Sequence, residues 1–232
     1  MNFKGSGVRI DDIDLPRIGA QIGVGEDELP ALLEVEASGN GFDNQGRLKL
    51  LYEPHLMWRN TSGAERAQAA SAGLAYPNQR YDYPKDSYPR LERAMQINEH
   101  AALISCSWGL GQILGSNHTA AGYASVQEMI EAFCADEANQ LQAIVNFIKS
   151  HKLDDELRKH DWAGVARGYN GANYAAGGYH TKLERAFAKW QRIRDTPYDP
   201  ALQKDKTAPS SPAPTSHTWG SFWSFLNKVI GK

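Results

Sequence analysis

A mainly α fold with one small β element (α+β) follows from three observations. Apolar residues recur at helical spacing through most of the chain, most cleanly at Leu141, Ile144, Val145 and Ile148, which fall at i, i+3, i+4 and i+7. Asp136, Asp154 and Asp161 stand where helix N-caps or first-turn acids belong. Only residues 47–52 combine a preceding turn signal, Asp43-Asn44-Gln45-Gly46, with a short strand-like run.

In chain order, residues 1–10 read as loose and 11–22 as a short helical entry. Leu29, Leu32, Leu33 and Ala37 give the next helix its apolar stripe, and Gly39 and Gly41 stop it. Acids near its start suit the helix dipole. Residues 60–90 are polar, with Ser, Gly, Pro and several Tyr, and read as a loop with at most a short helix, placed to line a groove. A helical period returns over 88–104. Residues 107–112 read as a tight turn leading into a helix, since Gly109 and Gly111 allow close backbone approach. Helices are then predicted over 125–135, 136–151, 154–159, 161–168 and 181–194.

The composition changes near residue 196. Pro197, Pro200, Pro209, Pro212 and Pro214 with Ser and Thr make a linker that cannot build a core. Beyond it Trp219, Phe222, Trp223, Leu226, Val229 and Ile230 form a helical stripe with Lys228 and Lys232 and no acid. That pattern suits a bilayer surface, where Trp prefers to sit, or packing back onto the domain. The expected organisation is a helical domain over 1–195, a linker over 196–217 and an amphipathic aromatic helix over 218–232.

The chain has 232 residues, 41% of them hydrophobic, enough for one real core. A net charge of −2 gives no electrostatic case for nucleic acid. Cys106 and Cys134 read most simply as two buried free thiols, with a bridge open if the fold joins them. The seven histidines lack metal-ligand spacing, so no metal or cofactor is expected. Residues 1–16 are polar and acidic without an apolar signal segment, and the body has no run long enough to span a bilayer. A monomer made in a cytoplasm is expected.

Glu36 lies in Leu32-Leu33-Glu34-Val35-Glu36-Ala37-Ser38-Gly39, in the last helical turn. The negative end of the helix dipole and partial burial both favour a protonated carboxyl there. Such a group can protonate a departing glycosidic oxygen. A solvated surface glutamate is the plainer reading of the same pattern. Two further segments bear on the choice: Ser107-Trp108-Gly109-Leu110-Gly111-Gln112-Ile113-Leu114-Gly115 and Tyr169-Asn170-Gly171, with Leu51-Tyr52-Glu53-Pro54-His55 between them and Glu36.

In this order, the four segments resemble the lysozyme superfamily, and most nearly the N-acetylmuramidase domain of bacteriophage endolysins, over roughly residues 10–195. Goose-type lysozymes and soluble lytic transglycosylases are similar more distantly. The resemblance implies a lysozyme-like helical domain and a peptidoglycan hydrolase that cuts the β-1,4 bond after N-acetylmuramic acid. It carries the catalytic acid to Glu36 and implies action on the cell wall after release from the host cytoplasm. Glu53 is the first choice for a second carboxylate, with a structural ion pair to an arginine as the other reading, and Asp43 is the next choice. Ser38, Gln112, Tyr169 and Asn170 become substrate-binding candidates, and Tyr174 and Tyr179 extensions of the groove. Pro54 and Leu110-Gly111 depart from the family pattern and leave subsite detail open. A lytic transglycosylase needs only the acid, since the sugar's own 6-hydroxyl can attack. A wall-binding module would keep the groove without the chemistry.

Overall fold

The computed structural model describes residues 2–36, 40–80, 82–170 and 174–199, with the backbone alone at Glu36 and Asn170. Ser38, most of the linker and the aromatic tail lie outside the described residues. Helices in chain order are α1 (Asp14–Gly19), α2 (Glu28–Glu36), α3 (Pro54–Asn60), α4 (Gly63–Ser71), α5 (Tyr88–Met95), α6 (Glu99–Ile104), α7 (Val126–Ala135), α8 (Glu137–Ser150), α9 (Asp154–Arg158), α10 (Trp162–Asn170) and α11 (Tyr179–Trp190). Strands β1 (Leu50–Tyr52), β2 (Cys106–Trp108) and β3 (Ile113–Leu114) form an antiparallel sheet in that spatial order. The mainly α prediction with a small β element is what the structure contains.

Local chemistry explains the helix starts. Asn98, Ser125 and Asp136 each accept a first-turn amide, from Ala101, Glu128 and Ala138. Asp161 accepts from the Gly164 amide at 2.9 Å and so caps α10. The predicted face of α8 is buried throughout: Leu141, Ile144, Val145 and Ile148 are at most 2% exposed.

Sheet register sorts the side chains into two faces. Leu50 opposes Trp108, Leu51 opposes Ser107 and Tyr52 opposes Cys106, while Ser107 opposes Leu114. Tyr52, Cys106 and Trp108 therefore point into the core, where each is fully buried. Leu51, Ser107 and Leu114 share the other face. A strap at the N-terminus extends this arrangement through a Lys4–Arg47 bridge. Phe3 stacks on Trp108 with ring centroids 5.6 Å apart. On the opposite flank α11 lies on α2, where Glu34 accepts from Lys189 at 2.8 Å and from the Trp190 indole at 3.0 Å.

Several expectations are corrected. Residues 107–112 lead into a β-hairpin, not a helix. The two glycines face α8: a methyl on Gly111 would lie 2.5 Å from Ile144, and one on Gly109 would lie 2.7 Å from the Gln140 side-chain oxygen. Helix α3 went unrecognised because Pro54 reads as a breaker, yet it occupies the first helical position, where its missing N–H costs nothing. The one short helix allowed within residues 60–90 falls at 63–71. Helix α10 runs through Tyr169 and Asn170 instead of stopping at Gly168. Tyr179 is 2% exposed and belongs to the core, not to a groove. Both cysteines are free, Cys106 buried and Cys134 half-buried.

Gly115 sits where β3 meets α6, and a methyl there would lie 2.3 Å from the Leu103 carbonyl oxygen and 2.8 Å from the Ile104 Cα. Backbone cannot step aside as a side chain can. Gly115→Ala should lower stability by about 2–3 kcal/mol in urea unfolding, and an unchanged midpoint would contradict this packing.

Candidate active site

Glu53 owes its position to its neighbours. Its amide continues the β1–β2 ladder by donating to the Ser105 carbonyl at 3.0 Å. Pro54 then holds it away from helical geometry, at φ −113° and ψ 96°. Its carbonyl accepts the first α3 bonds, from Leu56 at 2.9 Å and Met57 at 3.2 Å, but its carboxylate caps nothing. Glu53 is instead two residues beyond Leu51, so it shares the face of Ser107 as a diagonal neighbour. The Ser107 hydroxyl donates to Oε1 at 3.0 Å.

The carboxyl is nearly desolvated, with its side chain 14% exposed. Burial lifts its pKa from 4.5 to about 7, a rise that the Ser107 bond and the more distant Arg59 charge only partly offset. His55 places Nε2 3.9 Å from Oε2. Burial, with Arg59 second, holds the imidazole below its ordinary pKa, so the two groups face each other as a weak acid and a neutral ring. The other ring nitrogen, Nδ1, is buried without a hydrogen-bond partner among the described residues. The arginine ion pair considered for Glu53 is absent among the described residues.

Asp43 behaves differently. Burial works against its ionisation, but the Arg47 and Gln45 amides and the Arg47 side chain, at 2.8–2.9 Å, keep it below the usual carboxylate range. It fixes the hairpin turn. Gln112 sits on the β2–β3 turn at φ 46° and donates from Nε2 to the Gly109 carbonyl at 2.8 Å. Its side chain closes the turn. Tyr169 lies on α10 with its ring edge-on to Phe147, centroids 5.6 Å apart. Glu36 is the last described residue of α2, in the last turn where the sequence places it, and its side chain lies outside the described ones, as do Ser38 and the Asn170 side chain.

Sequence reasoning missed Ser107 as a partner of Glu53. The signal exists, a Ser in a short strand beside an acid-ending strand, but only the register reveals it. It also missed Glu137 and Gln140 on α8. Glu137 is 4% exposed and accepts from the Gly41 amide at 2.7 Å. Gln140 is fully buried and accepts from the Leu110 amide at 2.6 Å. Charged and amide side chains in a first helical turn read as solvated until their burial is known. No group of His, Cys, Asp and Glu able to hold a metal ion occurs among the described residues. No described helix is long and apolar enough to cross a membrane.

The mainly helical domain with its small three-stranded sheet has a lysozyme-like architecture. Residues 26–191 match the family model for N-acetylmuramidase, and the chain belongs to that family. It is a peptidoglycan hydrolase. Among solved structures it is similar to the Burkholderia AP3 phage endolysin, at 37% identity and a TM-score of 0.74, over 82% of this chain and 74% of that one. No curated protein matches.

The pKa of Glu53 links the site to stability. Unfolded, the carboxyl titrates near 4.5, and folded, near 7. The folded state thus holds the proton longer, and the stability this confers is whole below pH 4.5 and lost as pH rises through 7. Glu53→Gln, which keeps the shape and still accepts from Ser107, should leave urea stability unchanged near pH ~4. Near pH ~8.5 it should raise stability by roughly 3 kcal/mol. Equal stabilities at both values would show that the carboxyl is solvated.

Proposed function

We propose that the chain is an endolysin-type N-acetylmuramidase that hydrolyses the β-1,4 bond between N-acetylmuramic acid and N-acetylglucosamine. Glu36 protonates the leaving oxygen, and Glu53 draws a proton from the water that attacks the opposite face of the sugar. Ser38, Gln112, Tyr169 and Asn170 help to hold the strand. The observation that carries this reading is the buried Glu53 carboxyl. It is bonded to Ser107, lies on the sheet face turned from the core, and has a pKa near 7. A base whose pKa lies near the working pH combines availability with proton affinity.

The sign of the pH dependence follows. Glu53 must be ionised to take a proton, so the rate should climb as pH rises through about 7. Glu36→Gln and Glu53→Gln, assayed on purified peptidoglycan, should each fold normally and lose about 10²–10⁴-fold in kcat, while the wild type releases glycan fragments with reducing ends. Wild-type turnover in Glu36→Gln would overturn the assignment of the acid. Fragments with 1,6-anhydro ends and an active Glu53→Gln would mean the transglycosylase route, and retention on peptidoglycan without fragment release would mean a wall-binding module.

A further inference from the structure

Two buried polar side chains on one face of α8 grip the backbone on both sides of the sheet. Glu137 and Gln140 are three residues apart, hence neighbours on the helix surface. Glu137 Oε1 accepts from the Gly41 amide at 2.7 Å, while Gln140 Oε1 accepts from the Leu110 amide at 2.6 Å. Between these two points runs a backbone ladder. The Lys49 amide donates to the Gly41 carbonyl, and the Gly109 amide donates to the Lys49 carbonyl, both at 2.8 Å. Gly41 is therefore held from both its N–H and its C=O. A methyl on Gly41 would lie 2.1 Å from Gln140 Oε1, so only glycine lets the loop come this close.

Gly41 lies five residues after Glu36, the last residue of α2. Four residues separate the last described residue of α2 from the clamped glycine. Glu137 is also tied to the N-terminal strap. Its second oxygen accepts from the Ile10 amide at 3.3 Å, and the Arg9 guanidinium lies 3.6 Å from its first. Both partners precede the segment matched by the family model, which begins at residue 26. The strap is itself fastened where α7 meets α8, since the Ser6 amide donates to the Cys134 carbonyl at 2.8 Å.

We propose that Glu137 is a positioning residue for the general acid: its carboxylate, held between the N-terminal strap and Gly41, anchors the backbone five residues beyond Glu36. The role rests on the muramidase reading. It touches no substrate and acts only through the Gly41 backbone. Burial raises the Glu137 pKa above the ordinary carboxylate value, and the Gly41 amide, Arg9 on the strap, the Ile10 amide and Lys49 on the hairpin only partly offset it.

The test uses the full chain. Glu137→Gln keeps the side-chain shape but loses one acceptor and the charge. It should reduce kcat on purified peptidoglycan about tenfold and leave KM within about twofold, because the groove is intact while the acid is misplaced. A folded Glu137→Gln with wild-type kcat would overturn the proposal, as would a loss that only tracks the unfolded fraction. Should the variant fail to fold, the wild type decides the matter. The Gly41 amide ¹H shift should move with the titration of the Glu137 carboxyl, and a shift indifferent to that titration would refute the clamp. Wild-type protein and Glu36→Gln run alongside separate the two ideas. An inactive wild type or an active Glu36→Gln would sink the muramidase reading, while the Gly41 shift would still report on the clamp.

Discussion

The desolvated carboxyl of Glu53 is the constraint around which the sheet is arranged. A buried carboxylate that lacks an ion pair is costly, so the group answers with a raised pKa and a hydrogen bond from Ser107. Pro54 follows from the same need: it keeps Glu53 extended long enough to finish the strand and starts α3 immediately afterwards. Replacing the carboxyl by an amide would relieve the cost of burial and abolish its proton exchange. Strain of this kind, kept at one place in an otherwise well-satisfied fold, is what a working site requires.

Rigidity around the site comes from α8. Its apolar face fills the core, and its first turn supplies two polar side chains that satisfy backbone amides of the neighbouring loops. Gly41, Gly109 and Gly111 all approach that helix closely, with Gln140 and Ile144 as the groups on it that a methyl would strike and Phe133 on α7 a further one at Gly109. The small residues in the Gly-rich motifs are thus explained first by helix-to-loop packing. On the other side, α11 locks α2 through Glu34. Helix α2 is held at one flank by apolar packing and charge, and Gly41 beyond it is held by Glu137.

Much of this was legible in the sequence where one local signal decides the outcome. The α8 stripe, the Asp136 cap and the place of Glu36 in the last turn of α2 follow from spacing and capping chemistry. The motif order Glu36, Glu53, Trp108-Gly109, Tyr169-Asn170 identified the family. What failed depends on contacts distant in sequence. Residues 107–114 became a hairpin because β1 offers them a partner. Tyr179 is buried because α11 folds onto α2, and its place in a Gly-rich stretch suggested the reverse. Glu137 looks like any first-turn acid until the Gly41 loop arrives at it from nearly a hundred residues earlier.

The most direct test of the account is a site-resolved ¹³C titration of the Glu53 side-chain carboxyl in the full-length protein. The buried, Ser107-bonded geometry predicts a midpoint of about 7. A midpoint near the ordinary 4.5 would mean that water reaches the carboxyl freely, and the physical basis for Glu53 as the catalytic base would be gone.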